Sequence, residues 1–285
     1  MHTRPDLKKT VAILLLTVVA SATAQSGPVP VSVLARAQRQ VVAFFSKMSD
    51  LTCTENVVQQ KFLPNGRVQT SAESKYDYLI MVQASPDSFA LNESRIEAPG
   101  APHKPLPLLV TNGFSMLLLV FHPYYEHSFR FEAEPASFVD GRMLMPVHFT
   151  HLPGTRSPAA LSLRGREYPL DLKGTAWIDQ QSGEIAKMDA TLASDMSDVD
   201  LRSLHIEVDY KPSTLASATG IGLPDRAIID LETPRQHWRN THTFTNYKSF
   251  STAAEQATTV KVVTKDGRVL NDSTPAQPSL AKEPH

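Results

Sequence analysis

A single cysteine in 285 residues rules out an internal disulfide. Without such a staple, the fold must be held by apolar burial, and the chain is long enough to build a core of its own. Cys53 falls inside a strand-like pattern with no His or basic neighbour, so it reads as a buried, inert thiol. Charge of either sign is also in short supply. Lys and Arg total 28 against 29 Asp and Glu, a formal net charge of −1, so no nucleic-acid partner is expected. The sequence has no G-x-S-x-G elbow and no phosphate loop. Gly220-Ile221-Gly222 lacks the third glycine and the strand–helix context of a dinucleotide site. His148 and His151 are three apart, and His122/His127 and His237/His242 are five apart. Odd spacings on a strand put the two rings on opposite faces, and no ordered set of Cys, Asp or Glu completes a four-ligand cluster. Asp179, Glu184 and Asp189 surround one hairpin and read as solvated carboxylates. No catalytic residue, no metal and no cofactor is therefore expected, and the chain does not read as an enzyme.

Long hydrophobic runs are scarce as well. The first is a leader: Arg4, Lys8 and Lys9, then the short apolar run Val11 to Ala20, then Ala22-Thr23-Ala24. This is the pattern of a cleaved export signal, residues 1–24, with a mature start at Gln25 and a periplasmic destination. Cleavage removes three cations and one anion (Asp6), taking the formal charge from −1 to −3. The second run, Leu106 to Phe121, is broken by Asn112 and Gly113 and is too short and interrupted to span a bilayer. From Met116 to Phe121 it is apolar all round, which suits a buried core helix or a lid touching a ligand; Pro123 ends it.

What the chain does have is strand alternation. A first helix is predicted over Val33 to Met48 behind an N-cap at Ser32, with Leu34, Ala37, Val41, Phe44 and Phe45 on one stripe. Ten strands follow: Leu51–Leu63, Arg67–Val82, Phe89–Ile96, Phe129–Glu134, Arg142–Phe149, Tyr168–Asp179, Glu184–Leu192, Leu204–Tyr210, Arg226–Glu232 and Trp238–Phe250. Pro64-Asn65-Gly66 links the first two as a hairpin, and Glu97 to Pro107, with four prolines and a glycine, reads as a loop. Few helical patterns lie between the strands, so the fold class is α+β: an antiparallel meander with one apolar face and two helices to cover it. Ser251 to His285 turns polar and reads as a tail.

The clearest unit is Gly174 to Leu192, GTAWIDQQSGEIAKMDATL. Gln180 to Gly183 supply the turn, which would set Trp177 opposite Ala186 and Thr175 opposite Met188. This hairpin resembles the recurrent W-I-D, turn glycine, apolar–basic–acidic return of the LolA/LolB-type superfamily of periplasmic lipoprotein carriers. The residues that carry the likeness are Trp177, Ile178, Asp179, Gly183, Ile185, Lys187 and Asp189. Leu223-Pro224-Asp225 and Phe244 to Phe250 resemble the late strands of related exported proteins, so the likeness covers roughly residues 31–250. It implies a single strongly curved, unclosed antiparallel barrel with helices on the concave side and an apolar hollow for acyl chains of a lipid or lipoprotein. The implied contacts are Phe44, Phe45, Leu117, Leu118, Phe121 and Trp177. The buried arginine that latches the lid in some carriers has two candidates here, Arg95 and Arg130. A monomer with transient membrane contact is the expected state. A non-catalytic protein-binding module of the cell envelope, meeting other envelope proteins through a sheet edge or the tail, is the alternative.

Overall fold

The computed structural model describes residues 26–85, 88–97, 117–163, 166–249, 262–263 and 269–270. The leader, the apolar run up to Met116, the loop predicted after Glu97 and most of the tail lie outside the described residues.

The core element is one twelve-stranded, wholly antiparallel sheet. Its strands are β1 (Gly27–Pro28), β2 (Leu51–Phe62), β3 (Val68–Ser85), β4 (Ser88–Glu97), β5 (Phe129–Ala133), β6 (Ser137–Val139) and β7 (Arg142–His151). A small hairpin of β8 (Ala160–Leu163) and β9 (Arg166–Pro169) stands apart from it. The sheet resumes with β10 (Leu172–Asp179), β11 (Ile185–Leu192), β12 (Ser203–Pro212), β13 (Gly222–Glu232) and β14 (His237–Ser249). The order across the sheet is β1-β5-β7-β10-β11-β12-β13-β14-β2-β3-β4, with β6 continuing β5 alongside β7. The sheet does not close, because β1 and β4 do not meet. The ten expected strands are all present. The two strands of this sheet that pattern reading missed, β1 and β6, are two and three residues long, too short to show alternation; outside the sheet it also missed β8 and the short antiparallel pair Val262–Val263 and Val269–Leu270. The strand expected over Tyr168 to Asp179 is instead two: Leu170 and Asp171 interrupt it, and β9 turns away to pair with β8.

Helix α1 spans Val31–Met48. Ser32 is not its cap. Pro30 precedes the helix, and its carbonyl accepts from the Val33 and Leu34 amides at 2.9 and 3.2 Å, so the first turn closes without a side-chain oxygen. The buried stripe is Val33, Ala37, Val41, Phe44, Phe45 and Met48. Leu34, expected on it, is only half-buried. The residues recur every three to four positions, so one helix face packs on the sheet and the other stays wet.

The apolar face of the sheet is continuous. Val147, Phe149, Ala176, Ile178, Met188, Ala190, Val208 and Ala227 are each at most 1 % exposed. Leu117 to Phe121, one helical turn tightening into a 3₁₀ turn, lies against this wall and is buried throughout. His122, extended at φ −73° and ψ 137°, ends it just before Pro123.

The central hairpin has the expected four-residue loop but a different register. The Asp179 amide donates to the Glu184 carbonyl at 2.9 Å, and Ile178 faces Ile185. One residue on, a bulge leaves Ala186 unmatched, so Trp177 faces Lys187, Ala176 faces Met188 and Thr175 faces Asp189. The bulge keeps Ile185 and Met188 both buried on the core side, which strict alternation would forbid.

Candidate functional site

The inner wall and its cover form the first candidate site. α1 is held over the end of the β10–β11 hairpin by backbone contact and by Gln40, whose Nε2 donates to the Ser182 carbonyl at 3.2 Å. Farther along, Lys47 Nζ donates to the Thr219 carbonyl at 2.7 Å. Beneath the helix, Phe44 and Phe45 meet edge to face with centroids 5.1 Å apart, and Phe45 meets Phe89 of β4 the same way at 5.8 Å. Phe121 stacks on Phe131 at 5.2 Å and meets Phe149 edge-on at 6.3 Å. His122 lies 4.5 Å from Phe89, and burial holds its imidazole below the usual histidine range.

Five of the six expected contact residues therefore come together. Phe44, Phe45, Leu117, Leu118 and Phe121 are each no more than 3 % exposed in one cluster. Trp177 does not join them. It alternates with the inward Ala176 and Ile178, so its indole lies on the outer face, where the Lys187 ammonium sits 5.8 Å from the ring centre. Between α1 and the wall the structure has a void of about 20 Å³, lined by Val41, Phe44, Leu118, Ile185, Tyr210 and Ile221, with Gln40 and Glu184 at its edge. That is room for one water molecule, not for a hydrocarbon chain. The open hollow that the resemblance implies is thus occupied, among the described residues, by the protein's own α1 and Leu117–Phe121 side chains.

A second site was not foreseen. On the inner face of β2, Glu55 is wholly buried and forks onto Arg95 of β4: Oε2 accepts from Nε at 2.5 Å and Oε1 from Nη2 at 2.9 Å. Oε1 also accepts from His242 Nδ1 of β14 at 2.8 Å. Burial alone would raise the Glu55 pKa, but hydrogen bonds from His242 and Arg95 outweigh it and hold the carboxyl below the usual range. The guanidinium also lies 5.3 Å from the centre of the Tyr78 ring. Arg95 therefore ties the edge strand β4 across β3 to β2. Arg130, the other candidate latch, is exposed on β5. The signal for this cluster lay in the phase of β2, where an acid stands among the inward positions Leu51, Cys53 and Val57.

The remaining polar residues are accounted for by structure. Asp179 is buried rather than solvated: Oδ1 accepts from the Gln181 and Ser182 amides at 2.8 and 2.9 Å and so shapes the turn. Glu184 lies 3.9 Å from Arg142, and Asp189 lies 2.7 Å from His205 Nε2. His148 and His151 do face opposite sides. His148 lies between Thr175 and Glu134, each at 2.9 Å, and His151 is buried with Nδ1 2.8 Å from Asp171. His237 pairs with Asp230 at 2.8 Å, whereas His242 points inward to Glu55. Among the described residues no group of three or more His, Cys, Asp or Glu could hold a metal ion. The two late motifs meet: Tyr247 Oη donates to the Pro224 carbonyl at 2.7 Å.

Together these features define an unclosed antiparallel half-barrel whose concave wall is plugged by helical segments. No family model and no curated protein matches the sequence. Among solved structures, the chain is similar to a protein of the DUF1329 family from Desulfovibrio piger, at 12 % identity and a TM-score of 0.39, over 79 % of this chain and 98 % of that one.

Proposed function

We propose that this is an exported, periplasmic, non-enzymatic protein that binds a lipid or the acyl chains of a lipoprotein, taking them into the space that α1 and Leu117–Phe121 fill in the closed form. The observation that supports it most is the nature of the cover. Among the described residues, a wide apolar wall is closed by one amphipathic helix and a short turn, not by a second sheet, and α1 side chains hydrogen-bond to the hairpin turn and the 213–221 loop through Gln40 and Lys47. An acyl chain of about 16 carbons would gain roughly 12 kcal/mol at ~0.8 kcal/mol per buried CH₂, which offsets part of the burial lost when the plug is displaced. The test is mass spectrometry of organic extracts from protein purified without detergent, together with uptake of a fluorescent fatty acid. Bound lipid is expected, and Leu118→Asp is expected to lose uptake while the β-sheet circular dichroism survives. An empty extract with no uptake by the wild-type protein would sink this reading.

The small void supports a second reading, a non-catalytic protein-binding module of the cell envelope in which α1 never leaves. Recovery of one envelope protein in a pull-down, with no extractable lipid, is its expected result.

A further inference from the structure

The hairpin of β6 and β7 ends in a two-residue turn, Asp140-Gly141, both with positive φ (47° and 79°). Its tip exposes large apolar groups: Phe138 is 71 % exposed, its cross-strand partner Met143 42 % and Val139 41 %. Their position in the register gives this exposure meaning. Met143 alternates in phase with Met145, Val147 and Phe149, the residues of β7 that face the core. Phe138 and Met143 thus carry the inner apolar wall beyond its buried part and out into solvent. They do so at the end where α1 is fastened, since the Gln180 amide of the β10–β11 turn donates to the Met143 carbonyl at 3.0 Å. The tip has no cationic excess: Asp140 is exposed, and Arg142 leans toward Glu184.

We propose that Phe138, Val139 and Met143 dip into the interfacial layer of a lipid bilayer and set the α1 end of the half-barrel against it. The proposal rests on the acyl-chain reading only in that it places the plugged mouth at the source of the ligand. A bilayer is favoured over a second copy of the chain on area. Three side chains around a two-residue turn fall far short of the roughly 800 Å² per partner of a stable protein interface. A bilayer needs no complementary shape and accepts an isolated apolar prong by area alone. A tip without cationic excess also makes the contact hydrophobic rather than electrostatic, so it should resist salt.

The experiment uses the full mature protein and vesicles of phosphatidylethanolamine and phosphatidylglycerol, with co-sedimentation as the readout. Wild type is expected to co-sediment at low and high salt alike. The double variant Phe138→Ser/Met143→Ser is expected to lose about tenfold or more in partition, as removal of two large apolar groups requires, while thermal melting stays unchanged. Phe138→Trp is expected to show blue-shifted emission quenched by brominated lipid. No vesicle binding by wild type, equal binding by the double variant, or binding that collapses in high salt each overturns the proposal. So does a dimer in sedimentation velocity that the double variant abolishes, because the prong would then serve a second copy. Uptake of the fluorescent fatty acid from solution separates the two claims. Vesicle binding without uptake upholds the docking prong and sinks the carrier reading; uptake with no vesicle binding does the reverse.

Discussion

Gly183 and Arg36 touch backbone to backbone. A Cβ on Gly183 would fall 2.6 Å from both the Cβ and the carbonyl carbon of Arg36. Gly183 also holds φ at +81°, where an L side chain is strained. The hairpin turn is thus the seat on which α1 rests. Gly183→Ala should destabilise the protein by about 1–3 kcal/mol through strain and overpacking. It should also lift α1, so that its amides exchange with deuterium faster while those of β10 and β11 stay protected. Uniform acceleration across the sheet would show instead that the turn serves the whole fold.

Gly174 is a harsher case within the same hairpin. A Cβ there would collide with the Asp189 carbonyl and lie 2.7 Å from the Phe149 ring. Backbone cannot yield as a flexible side chain can. Gly174→Ala should therefore cost more than Gly183→Ala in urea unfolding, about 3 kcal/mol or above. An equal or smaller cost would mean that β10 and β11 can separate locally without loss.

The Glu55–Arg95 pair should make stability depend on acid pH. The folded pKa of Glu55 lies below its ordinary value, so its contribution is present above the unfolded pKa and is lost as pH falls through the folded one. Glu55→Gln removes the carboxylate that Arg95 forks onto, leaves the longer contact to Glu93 at 3.6 Å, and should cost up to about 3–5 kcal/mol at neutral pH. In urea unfolding at stepped pH the gap between wild type and variant should shrink as pH falls below the ordinary glutamate range toward the lowered folded pKa, where the wild-type carboxyl takes up its proton. A gap constant with pH would show that the loss is steric.

Cys53 should be silent in the native state. Burial pushes its thiol up to about 12, although the Tyr247 hydroxyl pulls the other way. A disulfide reagent at pH 8 should label no thiol until denaturant is added, and one thereafter. Rapid native labelling would mean that the β2–β14 seam opens.

Much of this architecture was legible, and the rest was hidden for identifiable reasons. Alternation in β3 and β12 marked the inward faces, and Asn65-Gly66 marked the first hairpin, where Gly66 takes φ +79°. The register of β10 on β11 was not readable, because the bulge at Ala186 depends on packing Ile185 and Met188 together and leaves no local signature. The resemblance places Trp177 at the hollow, yet it faces outward. Its neighbours Ala176 and Ile178 take the inner positions, and the space opposite Gly174 is filled by the Phe149 ring. Glu55, Arg95 and His242 are 40 and 187 residues apart along the chain, so only the sheet order brings them together.

The pairing of β14 with β2 brings a late strand against an early one. Among the described residues the arm formed by β2, β3 and β4 joins the rest of the sheet through β14 alone, so the early third of the chain has to wait for residues 237–249. Loop closure over that span slows folding and leaves a strand edge bare in the meantime. A nascent copy therefore stays unfolded and threadable until synthesis is nearly finished, and truncation before His237 should yield two disconnected halves rather than a smaller version of the same molecule.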